Sequence, residues 1–445
     1  MKRTVLIIGG GPAGITAALR LRERGYGVTL LEQQSELGGR LISSPESGEL
    51  TDAIPSVVLG CHKATLSLLM KLRTAHQVRF SHRLRFEFFL PSGRLTALRR
   101  PWLPGPLHTI LGLATFRGLP FQDRWRVLTF LERTWEGDPE LPPDLESRTA
   151  NDWLTKLGQS EAALAYLWNP LARFLLGDDL TAVSAAMLIR VVTRCFLSAR
   201  HHSSIGFPTH GIRSLLAAPA FERLTKSGAT IRTETSVSHI RFDAHRVTGV
   251  QLQSGNTLVA DWYVAALPHR RLCSLLPEGA LAHYAYFEQL TRLTDSPAVT
   301  VHLWIDRALP APRLVLLTGR TFHWLVSRAR ADAESHRTLV SLVGTGLSGL
   351  LARSDLDLLE SAHSDIGACF PTAAGAKALD YRIVRAPQAF LSLRPGTAPL
   401  RPMPQSPFPN LFLAGDWTDT GLPATLDSAI LSGDRCTQAV VAASQ

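Results

Sequence analysis

Long apolar runs are missing from this chain: no stretch approaches the roughly 18 apolar residues of a membrane-spanning helix, so a soluble or peripheral protein is expected. Cysteine is scarce and scattered. Cys61, Cys195, Cys273, Cys369 and Cys436 make five, without C-x-x-C spacing, which points to neither a disulfide framework nor a zinc site and favours a reducing, cytoplasmic compartment. No metal site is expected. Repeats, low-complexity tracts and dense basic tracts are absent too. The net charge is +10, yet Leu95–Arg100, with Arg99-Arg100, is the nearest thing to a basic cluster. Dispersed arginines read as a solvated face, and no nucleic-acid partner is expected. Met1-Lys2-Arg3 before Val5–Ile8 imitates a signal peptide, but the apolar run is too short for one.

What is present is ordinary globular composition, 445 residues with 45% hydrophobic and 19% charged, enough for two or more domains. The organising stretch is Val5-Leu6-Ile7-Ile8-Gly9-Gly10-Gly11-Pro12-Ala13-Gly14. Four apolar residues predict a buried strand, and Ile15–Arg24 carries helical spacing. Gly9, Gly11 and Gly14 fill the G-x-G-x-x-G positions of a strand–turn–helix. They serve the tight turn, the approach of a pyrophosphate and close helix–strand packing, with the helix N-terminus facing the phosphates. Val28–Leu31 predicts a second strand, ended by Glu32. An acid about 20 residues on suits ribose hydroxyls and would repel a 2′-phosphate, so NADP is disfavoured.

Further along, Val57–Leu72 reads as a helix, Val78–Leu90 as extended, Phe121–Trp135 as a helix and Pro139–Pro143 as a loop. Ala150–Ala199 reads as helical with Asp152 as its cap, Ser203–Pro208 as a linker, and Ala298–Ile305 with its successors as the strands of a substrate-domain floor.

Leu37-Gly38-Gly39-Arg40 and Leu413-Ala414-Gly415-Asp416-Trp417, with the helix start at Pro423–Ile430, complete a three-part pattern. Together with the glycine turn, these segments resemble FAD-binding flavoproteins of the amine oxidase and carotenoid desaturase superfamily. The resemblance implies an α/β protein: a Rossmann-type FAD domain built from 1–75, 203–268 and 385–445, and an inserted α+β substrate-binding domain from 76–202 and 269–384. It carries FAD contacts onto Gly9, Gly11, Pro12, Ala13, Gly14, Glu32, Gln33, Gly39, Arg40, Val237, Ala266, Gly415, Asp416, Thr425 and Leu426. Asp416 is expected at the ribityl or pyrophosphate region, and Leu426 N–H at the ring's O2 side, where negative charge collects on reduction.

At residue level the chain is similar to the hydroxysqualene dehydroxylases of hopanoid biosynthesis, through Leu59-Gly60-Cys61-His62-Lys63-Ala64-Thr65, Leu167–Leu171, Val299–Arg307 and, most specifically, Leu413–Thr425. Coverage is nearly end to end. The resemblance implies reductive loss of a hydroxyl from a triterpene, with an electron donor it does not identify. Candidate proton donors are His62, Asp419 and His210. Where that family tends to read Asp-Asn-Gly-Gln-His, this chain has Asp52-Ala53-Ile54-Pro55-Ser56. Carotenoid-type desaturation, amine or protoporphyrinogen oxidation, and non-catalytic prenyl-lipid carriage are the competing readings. Few lysines, none beside a recognisable flavin-contact motif, disfavour the amine reading.

An insoluble isoprenoid substrate calls for a membrane contact, and residues 99–117 have the composition for one. Arg99, Arg100 and Trp102 precede an apolar Leu107–Phe116 that Arg117 closes, giving an expected peripheral site on the inner face of the cytoplasmic membrane.

Overall fold

A continuous apolar strand needs cover on both faces, and Thr4–Ile8 receives it at the centre of a five-stranded parallel sheet. The computed structural model describes residues 3–41, 43–46, 49–81, 85–99, 101–135, 143–243, 245–309, 313–329 and 337–445. Arg100 and most of the loop expected over 139–143 lie outside them. In spatial order the strands are Thr230–Arg232, Gly27–Leu31, Thr4–Ile8, Trp262–Ala265 and Leu411–Leu413, all parallel. The chain leaves Thr4–Ile8 on one side for Gly27–Leu31 and later reaches its other side. Such a reversal opens a crevice at the carboxyl ends of the strands.

Alternate side chains divide between two cores. Val5, Ile7, Val28, Leu30, Val264 and Phe412 pack under the helices Pro12–Glu23, Ile212–Lys226 and Leu426–Ala443. Leu6, Ile8, Leu31, Leu411 and Leu413 face the other way, into a core shared with the antiparallel strands Val237–Phe242 and Val247–Leu252.

A seven-stranded sheet stands apart from this one, in the order Ala378–Leu391, Asp295–Ile305, Thr338–Thr345, Trp324–Ala329, Arg313–Leu317, Arg85–Phe89, Leu95–Arg99. Every pairing is antiparallel except Arg313–Leu317 with Arg85–Phe89. Val299, Val301, Leu303 and Ile305 pack beneath the helix Asp355–Cys369. Period-2 alternation therefore turns Thr300, His302 and Trp304 to the opposite face, where Trp324, Val326, Phe86 and Phe88 join the larger core. The α/β class is as expected, with a parallel sheet and an additional sheet.

Four local expectations need correction. Ile205–Pro208 is not a linker; it is the middle strand between Val58–Leu59 and Val78–Phe80. Its Gly and Pro hide a pairing made entirely with distant segments. For the same reason the helix expected from Val57 begins only at Lys63. A Cβ on Gly60 would lie 1.8 Å from the His201 carbonyl, so the chain passes too closely there for any side chain. The region 150–199 is broken into Ala150–Lys156, Asn169–Leu176 and Ala185–Val192, with π turns at Leu164–Trp168 and Thr193–Leu197. Thr149, not Asp152, caps the first, accepting the Asp152 N–H at 3.1 Å.

Two histidines are sealed into the large sheet as neutral rings. His302 Nδ1 pairs with Ser341 Oγ at 2.8 Å and His323 Nδ1 accepts the Thr345 N–H at 2.9 Å. Burial first, then a nearby arginine, holds each at about 3. Between the ordinary histidine range near 6.5 and that value the unfolded chain binds protons that the folded chain refuses, so stability falls on acidification across this window. We expect urea midpoints to drop between about pH 7 and about pH 5, and the drop to shrink in His302→Gln and His323→Gln. An equal drop in the variants would exonerate these rings.

Candidate dinucleotide site and its supports

The glycine turn has the shape its sequence requires. Gly9 has φ 106°, and a Cβ there would meet the Ala266 carbonyl at 2.4 Å; a Cβ on Gly14 would meet the Gly9 carbonyl at 2.0 Å. Gly11 is different, because a Cβ there meets only Gly39 Cα, at 4.0 Å. That opening, between the first glycine turn and the Gly38–Arg40 turn, is where a pyrophosphate can approach bare backbone. Gly11 provides no side-chain cap for the helix Pro12–Glu23, leaving its first amides available to an anion.

Glu32 holds the arrangement together. It is only 6% exposed; Oε2 accepts the Gly10 N–H at 2.7 Å and Oε1 accepts the Gln34 N–H at 2.9 Å. Each carboxylate oxygen retains a lone pair for a ribose hydroxyl. The Gly38 N–H donates to the Gly10 carbonyl at 2.9 Å, which fixes the second turn against the first.

Strand register aligns Ile8, Ala265 and Leu413, so Gly9, Ala266 and Ala414 emerge side by side at the carboxyl edge. Gly415 N–H donates to Ser432 Oγ at 2.9 Å, and Asp416 Oδ1 takes Arg40 Nη2 at 2.5 Å. Asp416 thus faces the glycine side of the crevice through an ion pair that the sequence did not disclose. Thr425 caps Leu426–Ala443 through the Ser428 N–H at 3.4 Å. Gln33 is exposed. Val237 begins the antiparallel strand Val237–Phe242, and its carbonyl accepts Arg271 Nη2 at 2.9 Å.

Two supporting groups were invisible in the sequence. Asp427, 1% exposed, accepts the Thr65 N–H at 2.8 Å, its hydroxyl at 3.1 Å and Arg194 Nη2 at 2.9 Å. It thereby joins the helix Lys63–Lys71, the Thr193–Leu197 turn and the start of the last helix. Arg401, 4% exposed, donates to the carbonyls of Leu422 at 2.7 Å and Asp416 at 2.9 Å, and burial pushes it down to about 10. Their partners lie up to 362 residues away in sequence, so no local spacing marks them.

The three proton-donor candidates fall in different settings. His62 ends the turn before Lys63–Lys71; its Nδ1 accepts the Leu59 N–H at 3.2 Å, and burial lowers its pKa against the pull of Asp427. Asp419 Oδ1 closes a local turn on the Gly421 N–H at 3.0 Å. His210 is exposed beside Thr209 Oγ1, at 3.2 Å.

The inward face of the seven-stranded sheet packs into the same core as Ile8 and Leu413 at the carboxyl edge of the parallel sheet. Trp304 and Trp324 are buried there, and neither Nε1 has a hydrogen-bond partner among the described residues. Ser56, from the segment that departs from the dehydroxylase pattern, accepts Arg328 Nη2 at 3.3 Å through its carbonyl. The Ala53 main chain faces His302. That segment therefore covers part of the same face. Among the described residues no group of acidic, histidine or cysteine side chains is arranged for a metal.

Comparison with known proteins agrees with this geometry. Residues 12–441 match the family described as flavin containing amine oxidoreductase, and the chain belongs to that family. It is a flavin-dependent oxidoreductase whose cofactor is FAD. The chain is 25% identical to a 15-cis-phytoene desaturase of Synechococcus elongatus, over 98% of this chain and 96% of that protein. It is also 25% identical to a zeta-carotene desaturase of Synechocystis, over 98% and 97%. Among solved structures, cyclohexylamine oxidase from Brevibacterium oxydans superposes with a TM-score of 0.76 at 18% identity, covering 99% of both chains. An oxidoreductase from Methanosarcina mazei gives 0.74 at 17%, covering 97% of this chain and 99% of that one.

FAD fits the residues present: an open glycine cradle at Gly11, uncapped helix amides and a buried carboxylate with spare lone pairs. Replacing Glu32 by Ala removes the acceptor for Gly10 and Gln34 along with the ribose partner. We expect FAD affinity to fall by roughly tenfold or more, about 1.4 kcal/mol, measured by flavin titration of the apoprotein. An unchanged dissociation constant would remove Glu32 from the site.

Proposed function

We propose that this flavoenzyme carries out two-electron chemistry on a long isoprenoid lipid. The observation that carries the reading is the end-to-end similarity to carotenoid desaturases, joined to an inward sheet face of Phe86, Phe88, Trp304, Trp324 and Val326. FAD supplies the hydride exchange when bound. The chain's own residues hold an apolar substrate against that face and exclude water from it. Within this class the desaturase relatives favour dehydrogenation of a polyene. Reductive dehydroxylation of a hydroxysqualene-type alcohol is the second reading. It is favoured by the motifs around Gly60 and Asp416, and by the Trp304 and Trp324 N–H groups, which have no partner among the described residues. A buried donor left unsatisfied costs about 1–3 kcal/mol; a substrate oxygen would satisfy one, and a hydrocarbon would not.

The same reading calls for a membrane contact, and the exposed apolar side chains cluster where one is expected. Trp102 is 86% exposed, Phe121 75% and Trp125 63%, with Leu107 and Leu111 also exposed. The patch differs from the nearly uniformly apolar stretch expected over Leu107–Phe116. Leu113 and Phe116 are core, because the helix Leu107–Ala114 must cover Leu98 and its neighbours with one face. Phe121 and Trp125, one turn apart on Phe121–Trp135, take the place of the buried pair. Arg99 and Arg117 are exposed beside them and suit anionic headgroups. No helix among the described residues is long and apolar enough to cross a bilayer.

Two measurements test this. The oxidised protein with phytoene, and the reduced protein with hydroxysqualene, are incubated without oxygen beside a simple amine. Turnover of either lipid and none of the amine is expected, and which lipid turns over separates the two readings. Flavin reduction by the amine alone would overturn both. In liposome co-sedimentation, Leu111→Glu with Trp125→Glu should lose most binding to anionic vesicles while staying folded and yellow. Undiminished pelleting would place the membrane contact elsewhere.

A further inference from the structure

Two cysteines 134 residues apart in sequence meet in the core, with Cys61 Sγ and Cys195 Sγ separated by 3.3 Å. Cys61 lies in the turn ahead of Lys63–Lys71 and Cys195 in the π turn Thr193–Leu197. Both turns are held in place. Cys61 N–H donates to the His202 carbonyl at 2.8 Å, and Arg194 Nη2 donates to the Cys61 carbonyl at 2.7 Å while also reaching Asp427. A thiolate at Cys61 is supported, first by the hydrogen bond from Cys195 and then by Arg194, against burial and the Asp427 charge. In Cys273, Cys369 and Cys436 burial acts unopposed or nearly so and raises the thiol pKa, to about 12 at Cys369.

We infer that Cys61 and Cys195 form a peroxide-sensitive dithiol that closes into an intramolecular disulfide beside the cofactor crevice. The oxidant is hydrogen peroxide. The Cys61 thiolate attacks one peroxide oxygen and the O–O bond breaks. A sulfenic acid forms, and the departing hydroxide takes up the proton that Cys61 released, leaving as water. Cys195 then attacks the sulfenic sulfur. The S–S bond forms, the S–O bond breaks, and a second water leaves with the Cys195 proton. The thiols together lose two electrons, and peroxide gains them. Burial of both residues, 2% and 3% exposed, selects the reagent: peroxide is little larger than water, whereas glutathione disulfide is excluded. The sulfurs have only to close from 3.3 Å to the roughly 2.05 Å of a disulfide. The bond would tether two turns that Arg194 already clamps to Asp427 at the start of the last helix.

The test uses the FAD-loaded wild-type protein, treated with hydrogen peroxide, unfolded in N-ethylmaleimide and mapped by mass spectrometry. We expect a Cys61–Cys195 linked peptide that dithiothreitol reverses, with Cys273, Cys369 and Cys436 still alkylated. In Cys195→Ser, checked for bound flavin, treated with peroxide and then unfolded in dimedone, a sulfenic acid should be trapped at Cys61. Full alkylation of Cys61 and Cys195 after peroxide, or a linkage to another cysteine instead, would overturn the proposal.

Discussion

The contact on which the crevice depends is the buried Glu32 carboxylate under the glycine turn. A carboxylate 6% exposed is costly unless its oxygens are satisfied, and here main-chain N–H groups of Gly10 and Gln34 satisfy them. In return the carboxylate fixes a segment of consecutive glycines whose backbone would otherwise be the freest in the chain. The second turn is bonded to the first through Gly38 and Gly10, and it carries Arg40 toward Asp416. One buried acid thus fixes the glycine turn, against which the Gly38–Arg40 turn is bonded, and Arg40 carries the arrangement on to the distant Asp416.

The opposite wall is held by charge as well. Asp427 is almost fully buried with Arg194 and Thr65, and Arg401 is sealed beneath the Gly415–Leu422 loop. Removing Arg194 would leave the Asp427 carboxylate charged in a poor solvent, a loss smaller than the roughly 3–5 kcal/mol of a fully buried pair because Arg194 itself is partly exposed. These groups secure geometry rather than surplus stability. They keep the last helix and the Lys63–Lys71 helix in one relation to the parallel sheet.

Much of this was legible in the sequence wherever the physics is local. The strand–turn–helix of Val5–Arg24, the acid ending the second strand and the Gly-Asp strand near the end each combine a residue type with a short spacing. Local signals failed where the partner is remote. Ile205–Pro208 looks like a linker until Val58–Leu59 and Val78–Phe80 pair with it. Arg194, Arg401 and Asp427 carry no pattern at all, since each meets its partners only after the chain has folded. The helix at Leu107–Ala114 reads as apolar all round, and only its packing decides which side faces outward.

The account rests on the Gly9–Gly14 turn and Glu32 acting as a dinucleotide cradle in a working flavoenzyme. The most direct measurement is the flavin content of the protein as purified: its visible absorbance, followed by mass spectrometry of the flavin released on unfolding. The account predicts a yellow protein that releases one FAD per chain. A colourless protein that fails to take up FAD on titration, or one that releases FMN, would contradict it.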